Sequence, residues 1–133
     1  MADDLAPRLD AFLRRFDGHE VEWGRDDCSA FCAAWARENG YEVCLPAYAS
    51  REEAHSLIDR AGGLAALWER CAVEAGVSER IGQPQLGDVG IIPTRRIGPV
   101  GVIFGGANLC CWRHGKGAFW LAARSYLKAW AIS

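Results

Sequence analysis

The spacing of apolar positions changes once along the chain. In the N-terminal part, Leu5, Leu9, Phe12, Leu13 and Phe16 recur every three or four residues. That period gives one apolar helix face. Pro7 suits the first turn, and Gly18 marks a stop. A polar loop, "HEVEWGRDD", leads to a second helix from about Cys28 to Asn39, with Gly40 closing it. This helix is apolar nearly all round (Ala30, Phe31, Cys32, Ala33, Ala34, Trp35), which predicts a central position. After the loop "LPAYAS", Ser50 and Glu53 have the capping-box spacing and start a third helix. Ala54, Leu57, Ile58 and Ala61 form its inner face, and Gly62-Gly63 ends it. A fourth helix carries Leu64, Leu67, Trp68 and Cys71 and stops near Gly76.

From Gln85 the pattern shortens to β-type runs between glycine-containing turns: "GDVGIIPT", "PVGVIFGG", "NLCCWRHG", "AFWLAA" and "KAWAIS". No segment between them is long enough for a helical crossover, so the sheet is expected to be antiparallel. Helices first and strands afterwards predict an α+β fold. The helical part covers about 1–80 and the sheet part about 85–133. With 133 residues and a hydrophobic fraction of 50%, the chain suits one domain, 1–133.

Charge narrows the function classes. Fifteen Lys and Arg against 17 Asp and Glu give a net charge of −2. Neither a nucleic acid nor a membrane surface is expected as partner. The acidic start "MADDLAPRLD" does not resemble a secretion signal, so the protein is expected to be made and to fold in a reducing cytoplasm. Six cysteines do not alter this. Cys28 and Cys32 are four apart, Cys44 and Cys71 stand alone, and Cys110 and Cys111 are adjacent, so in a strand they point to opposite faces. Close CxxC-type pairs of a zinc site are missing, and no metal or cofactor is expected.

The chemically suggestive stretch is "WGRDDCSAFCAAW", residues 23–35. Cys28 stands where a polar loop meets an apolar helix. Asp27 is placed to cap that helix, leaving the thiol in its first turn. The helix dipole, free backbone N–H groups and Arg25 would favour a thiolate, while Asp26 and Asp27 would oppose it. A core cysteine at a helix start fits the same pattern. Trp23 is a cleft-lining candidate with Arg25 and Asp27. Cys32 reads as core, and Asp88 as the residue that starts a strand and ties down a turn.

These motifs, in this order, resemble the NlpC-type cell-wall cysteine peptidases, whose fold is papain-like. "WGRDDCSAF" corresponds to their nucleophile pattern, Gly87-Asp88-Val89 to the start of their first core strand, and Pro99 through Gly105 to a strand that reads His-Val-Gly-Ile-Tyr-hydrophobic-Gly. A set of small phage and prophage proteins is nearer still, sharing the WGRxDC motif, an "AGGL" segment (Ala61 to Leu64), the GDV strand and a closing Ala-Trp strand (Ala129-Trp130). The resemblance implies an NlpC-like fold over nearly the whole chain and a setting in the phage tail. It makes Cys28 the nucleophile position, with its own backbone N–H as an oxyanion donor. It sets the expected histidine at Pro99 and the third polar residue about at Cys111.

Proline cannot act as a base. His114, at the end of "NLCCWRH", is the candidate replacement, because an antiparallel return would end beside Pro99. His19 and His55 read as surface residues. Two functions follow. One is a cysteine hydrolase that cleaves amides of peptidoglycan stem peptides. The other is a catalytically inactive structural module of the tail tip, with tail proteins as partners.

Overall fold

The computed structural model describes residues 4–106 and 108–132. The start Met1–Asp3, on which the expected absence of a leader partly rests, and Ser133 of the last predicted strand lie outside the described residues. Four helices precede five strands: α1 (Leu5–Arg14), α2 (Cys28–Glu38), α3 (Arg51–Ala61), α4 (Leu64–Ala75), β1 (Val89–Ile92), β2 (Val100–Gly106), β3 (Leu109–His114), β4 (Gly117–Ala122) and β5 (Lys128–Trp130). The fold is α+β. Among the described residues no helix is long and apolar enough to cross a membrane.

Local chemistry explains the helix starts. The Asp27 carboxylate accepts from the Ser29 and Ala30 N–H groups at the head of α2. At α3 the Ser50 hydroxyl accepts from Glu53 N–H at 3.1 Å, and Glu53 accepts from Ala49 N–H at 2.8 Å. The last strand, β5, is shorter than its sequence run, because pairing to β1 stops at Trp130.

The sheet order is β4-β3-β2-β1-β5, and every neighbouring pair is antiparallel. One face carries the larger core. There Val89, Ile91, Ile103, Cys111 and Trp130 pack against Phe12, Phe31, Trp35 and Trp68 of the helices. The Trp35 indole N–H donates to the Gly87 carbonyl at 2.8 Å and so joins α2 to the approach of β1. The other face holds a smaller cluster of Ile92, Val100, Val102, Phe104, Cys110 and Ala129. Residues 123–127 cross this face, with Tyr126 edge-on to Phe104 at 6.0 Å. Cys110 and Cys111 therefore do face opposite ways.

α2 lies directly over β2. A β-carbon on Gly101 would come within 3.2 Å of the Cys28 carbonyl and 3.5 Å of the Cys32 sulfur. The glycine lets the head of α2 sit close to the strand.

Asp88 has the role expected of it. It is fully buried just before β1 and takes a two-point ion pair from Arg80, at 2.8 and 3.1 Å. It also accepts from the backbone of Gln85 and Ile132, so it ties the loop before β1 to the C-terminal segment.

Candidate functional site

Cys28 opens into a pocket of about 80 Å³ built from four parts of the chain. The 23–29 segment supplies Trp23, Asp27, Cys28 and Ser29; the next loop gives Leu45 and Tyr48; α3 and α4 give His55, Leu57 and Leu67; the approach to β2 gives Ile97 and Pro99.

Asp27 organises the loop. Its buried carboxylate accepts from Gly24 N–H at 2.7 Å, from Ser29 and Ala30 N–H at 3.2 Å, and from the Tyr48 hydroxyl at 2.8 and 2.9 Å. Gly24 has φ +86°, and a β-carbon there would overlap the Tyr48 carbonyl oxygen. The glycine of the "WG" pair thus serves a left-handed turn and a close loop-to-loop approach.

The influences on the thiol run, on balance, against activation. Burial pushes the Cys28 thiol above its ordinary value. A backbone hydrogen bond from Gly101 pulls it down, the Asp27 charge pushes it up again, and hydrogen bonds with Ser29 lower it. Burial outweighs the pull of the helix start. Among the described residues no imidazole hydrogen-bonds this sulfur.

Of the residues singled out in the sequence, Cys28, Asp27, Trp23 and Pro99 meet in the pocket. Arg25 does not: it is exposed and pairs with Glu22 at 3.2 Å. Cys111 lies in the main core between β2 and β4, where burial pushes its thiol up to about 12. Cys32 is buried beside it, and burial raises its thiol strongly.

His114 is not in the pocket either. β3 does return antiparallel to β2, but strand alternation decides where its side chains go. Arg113 points to the helix side, where its guanidinium donates to the His19 carbonyl at 2.8 Å and to Asp26 at 3.3 Å. His114 therefore points to the opposite face and stacks on Trp112 at 4.4 Å. His19 contributes its carbonyl to the Arg113 anchor and does not line the pocket.

The family model described as a domain of unknown function (DUF6950) matches residues 1–132. The chain belongs to that family. No curated protein matches it.

Two pocket residues of this DUF6950 chain escape a reading of its sequence. His55 is exposed, as the sequence predicts, and from that surface position on α3 it also stands at the pocket rim. Its spacing to Ile58, i to i+3, was the available signal, since such pairs share a helix face. Tyr48 lies in an irregular loop, where no periodicity reports direction. Burial first, and the Asp27 charge and hydrogen bond after it, raise the Tyr48 phenol, so it stays a donor to Asp27. Among the described residues no group of His, Cys, Asp and Glu could hold a metal ion. The pocket can receive a small group beside a protonated thiol. An attack by that thiol would need a base to take its proton.

Proposed function

We propose that this chain is a phage- or prophage-encoded domain with the papain-related NlpC fold. It keeps the nucleophile's position at Cys28, has lost the base, and works in the tail tip as a module that grips a peptide segment of a tail protein. The observation that carries this reading is the pocket wall. Pro99, with no proton to give or take, stands at the position the resemblance reserves for the histidine. The raised thiol supports it from the other side. Six free cysteines fit manufacture in a reducing cytoplasm.

His55 favours a second reading, because it brings an imidazole to the pocket rim. In that case the Cys28 sulfur attacks an amide carbon of a peptidoglycan stem peptide. His55 takes the thiol proton and delivers it to the leaving amine. Water then cleaves the thioester.

Alkylation of Cys28 by iodoacetamide across pH, followed by mass spectrometry, separates the two. An apparent pKa at or above the free-thiol value of about 8.5 supports the gripping module. A value well below it, lost in His55→Ala, overturns that reading in favour of the hydrolase.

A further inference from the structure

We infer that the Cys28 pocket is specific for one short, uncharged aliphatic side chain. The inference deepens the proposal above and rests on its reading of this pocket as the peptide-facing site.

Three observations point to that ligand. The first is electrostatic. Asp27 is the pocket's one carboxylate among the described lining residues, and both its oxygens are already taken by three backbone N–H groups and the Tyr48 hydroxyl. A cation would feel its charge but find both oxygens already engaged as acceptors. Among the described residues no Lys or Arg lines the pocket, and its one imidazole, His55, stands exposed at the rim, so an anion inside meets no fixed cation. A charged group would lose its hydration without a free hydrogen-bonded counter-ion to replace it.

The second is the wall. Leu45, Leu57, Leu67, Ile97 and Val100 line the pocket from three sides. Ile97 is 52% exposed although it is a large aliphatic residue. Apolar contact with a guest would remove that surface from water.

The third is size. A volume of about 80 Å³ holds roughly six waters at ~10–15 Å³ each by this measure, which is room enough for an aliphatic side chain as large as leucine. The guest would end beside the Cys28 sulfur, so that thiol can report on it.

The test reacts the full chain, at one fixed pH, with a series of methanethiosulfonates: methyl, propyl, 2-sulfonatoethyl and 2-(trimethylammonio)ethyl. In each reaction the thiolate sulfur attacks the sulfenyl sulfur and forms a disulfide. The S–SO₂ bond breaks, methanesulfinate leaves with the electron pair, and the thiol proton goes to buffer. Cys44 is an exposed free thiol and serves as the internal reference. The Cys28-to-Cys44 rate ratio should rise from methyl to propyl by roughly threefold to fourfold per methylene. It should fall for both charged reagents. Ile97→Glu, at an exposed position, should lower the propyl ratio and raise the trimethylammonio ratio without changing Tm. A ratio indifferent to chain length and charge overturns the inference, as does a Cys28 that no reagent reaches. Thiol acidity cancels between reagents of one reactive group, so these outcomes are independent of the pH profile that tests the gripping reading.

Discussion

Asp27 and Asp88 make a natural pair. Each is a buried carboxylate that immediately precedes an element, α2 for one and β1 for the other. Each accepts from backbone N–H groups of two segments, the loop and the head of α2 at Asp27, and Gln85 and Ile132 at Asp88. They differ in what balances the charge. Asp88 has the Arg80 guanidinium against both oxygens. Asp27 is held by N–H and O–H donors alone, with no cation among the described residues. The field of Asp88 is therefore spent locally on a clamp between distant segments. The field of Asp27 reaches its neighbours and raises both the Cys28 thiol and the Tyr48 phenol. A cysteine hydrolase needs the reverse, an environment that favours thiolate. The aspartate of the "DC" pair fixes the loop at the expense of the nucleophile.

The largest expected effect separates the two residues by stability. Asp88→Ala removes an acceptor from Arg80 and from two backbone N–H groups, and should cost about 3–5 kcal/mol. Asp27→Ala loses a helix cap and the acceptor of the Gly24 N–H and of one hydroxyl, and should cost about 2 kcal/mol. Urea denaturation of both variants checks the order. Equal costs would mean that the cation at Asp88 contributes nothing and that the comparison is empty.

The next effect isolates the loop contact. Tyr48→Phe removes the O–H donor but keeps the ring against the pocket. A hydrogen bond to a charged group is worth about 1.5–3 kcal/mol, and the three remaining N–H donors to Asp27 should hold the loss near the lower end. A Tm unchanged from the parent would show that the backbone donors suffice.

Asp27→Asn asks about charge. Asparagine can keep the helix cap, but its NH2 then faces the Gly24 N–H that now donates to Oδ2, so stability should fall by about 1 kcal/mol. The thiol should shift downward, and Cys28 alkylation at neutral pH should quicken severalfold. Burial, the larger cause, remains, so the thiol should not become fully activated. An unchanged rate would refute the claim that Asp27 acts on Cys28 through its charge.

The helices and strands were legible because each rests on local chemistry. Ser50 with Glu53, Asp27 before an apolar run and the glycine-bounded Val/Ile strings predict their elements directly. The site was legible only along the chain. "WGRDDC" announces Cys28 and Asp27, and both are in the pocket. What faces them comes from residues far away in sequence, and the direction of a side chain there depends on packing. His114 illustrates this: the strand ended where expected, but one step of alternation turned the imidazole to the other face. His55 is the opposite case, a residue on the edge of a helix face that the fold brings to the pocket rim. Pro99 reaches the pocket from the sheet side, because it immediately precedes β2.

The smallest effect tests the comparison with a carboxylate that is not buried. Glu69 accepts from Lys128 at 3.0 Å and from the Trp130 indole at 3.3 Å, but its side chain is 34% exposed. The Lys128 hydrogen bond, the largest cause, holds its carboxyl below the ordinary value of 4.5; burial pushes up less strongly, and the Trp130 indole adds a smaller downward pull. A folded value below the unfolded one means that the pair stabilises fully above about pH 4.5. That contribution is lost as pH falls through the folded value. Solvent screening limits it to about 0–1 kcal/mol. Glu69→Gln should therefore lower Tm slightly at pH 7 and leave the difference from the parent near zero at the lowest pH where both still fold. A difference as large as that of Asp88→Ala would mean that burial is not what sets the worth of a carboxylate in this fold. The contrast between Asp27 and Asp88 would then need another cause.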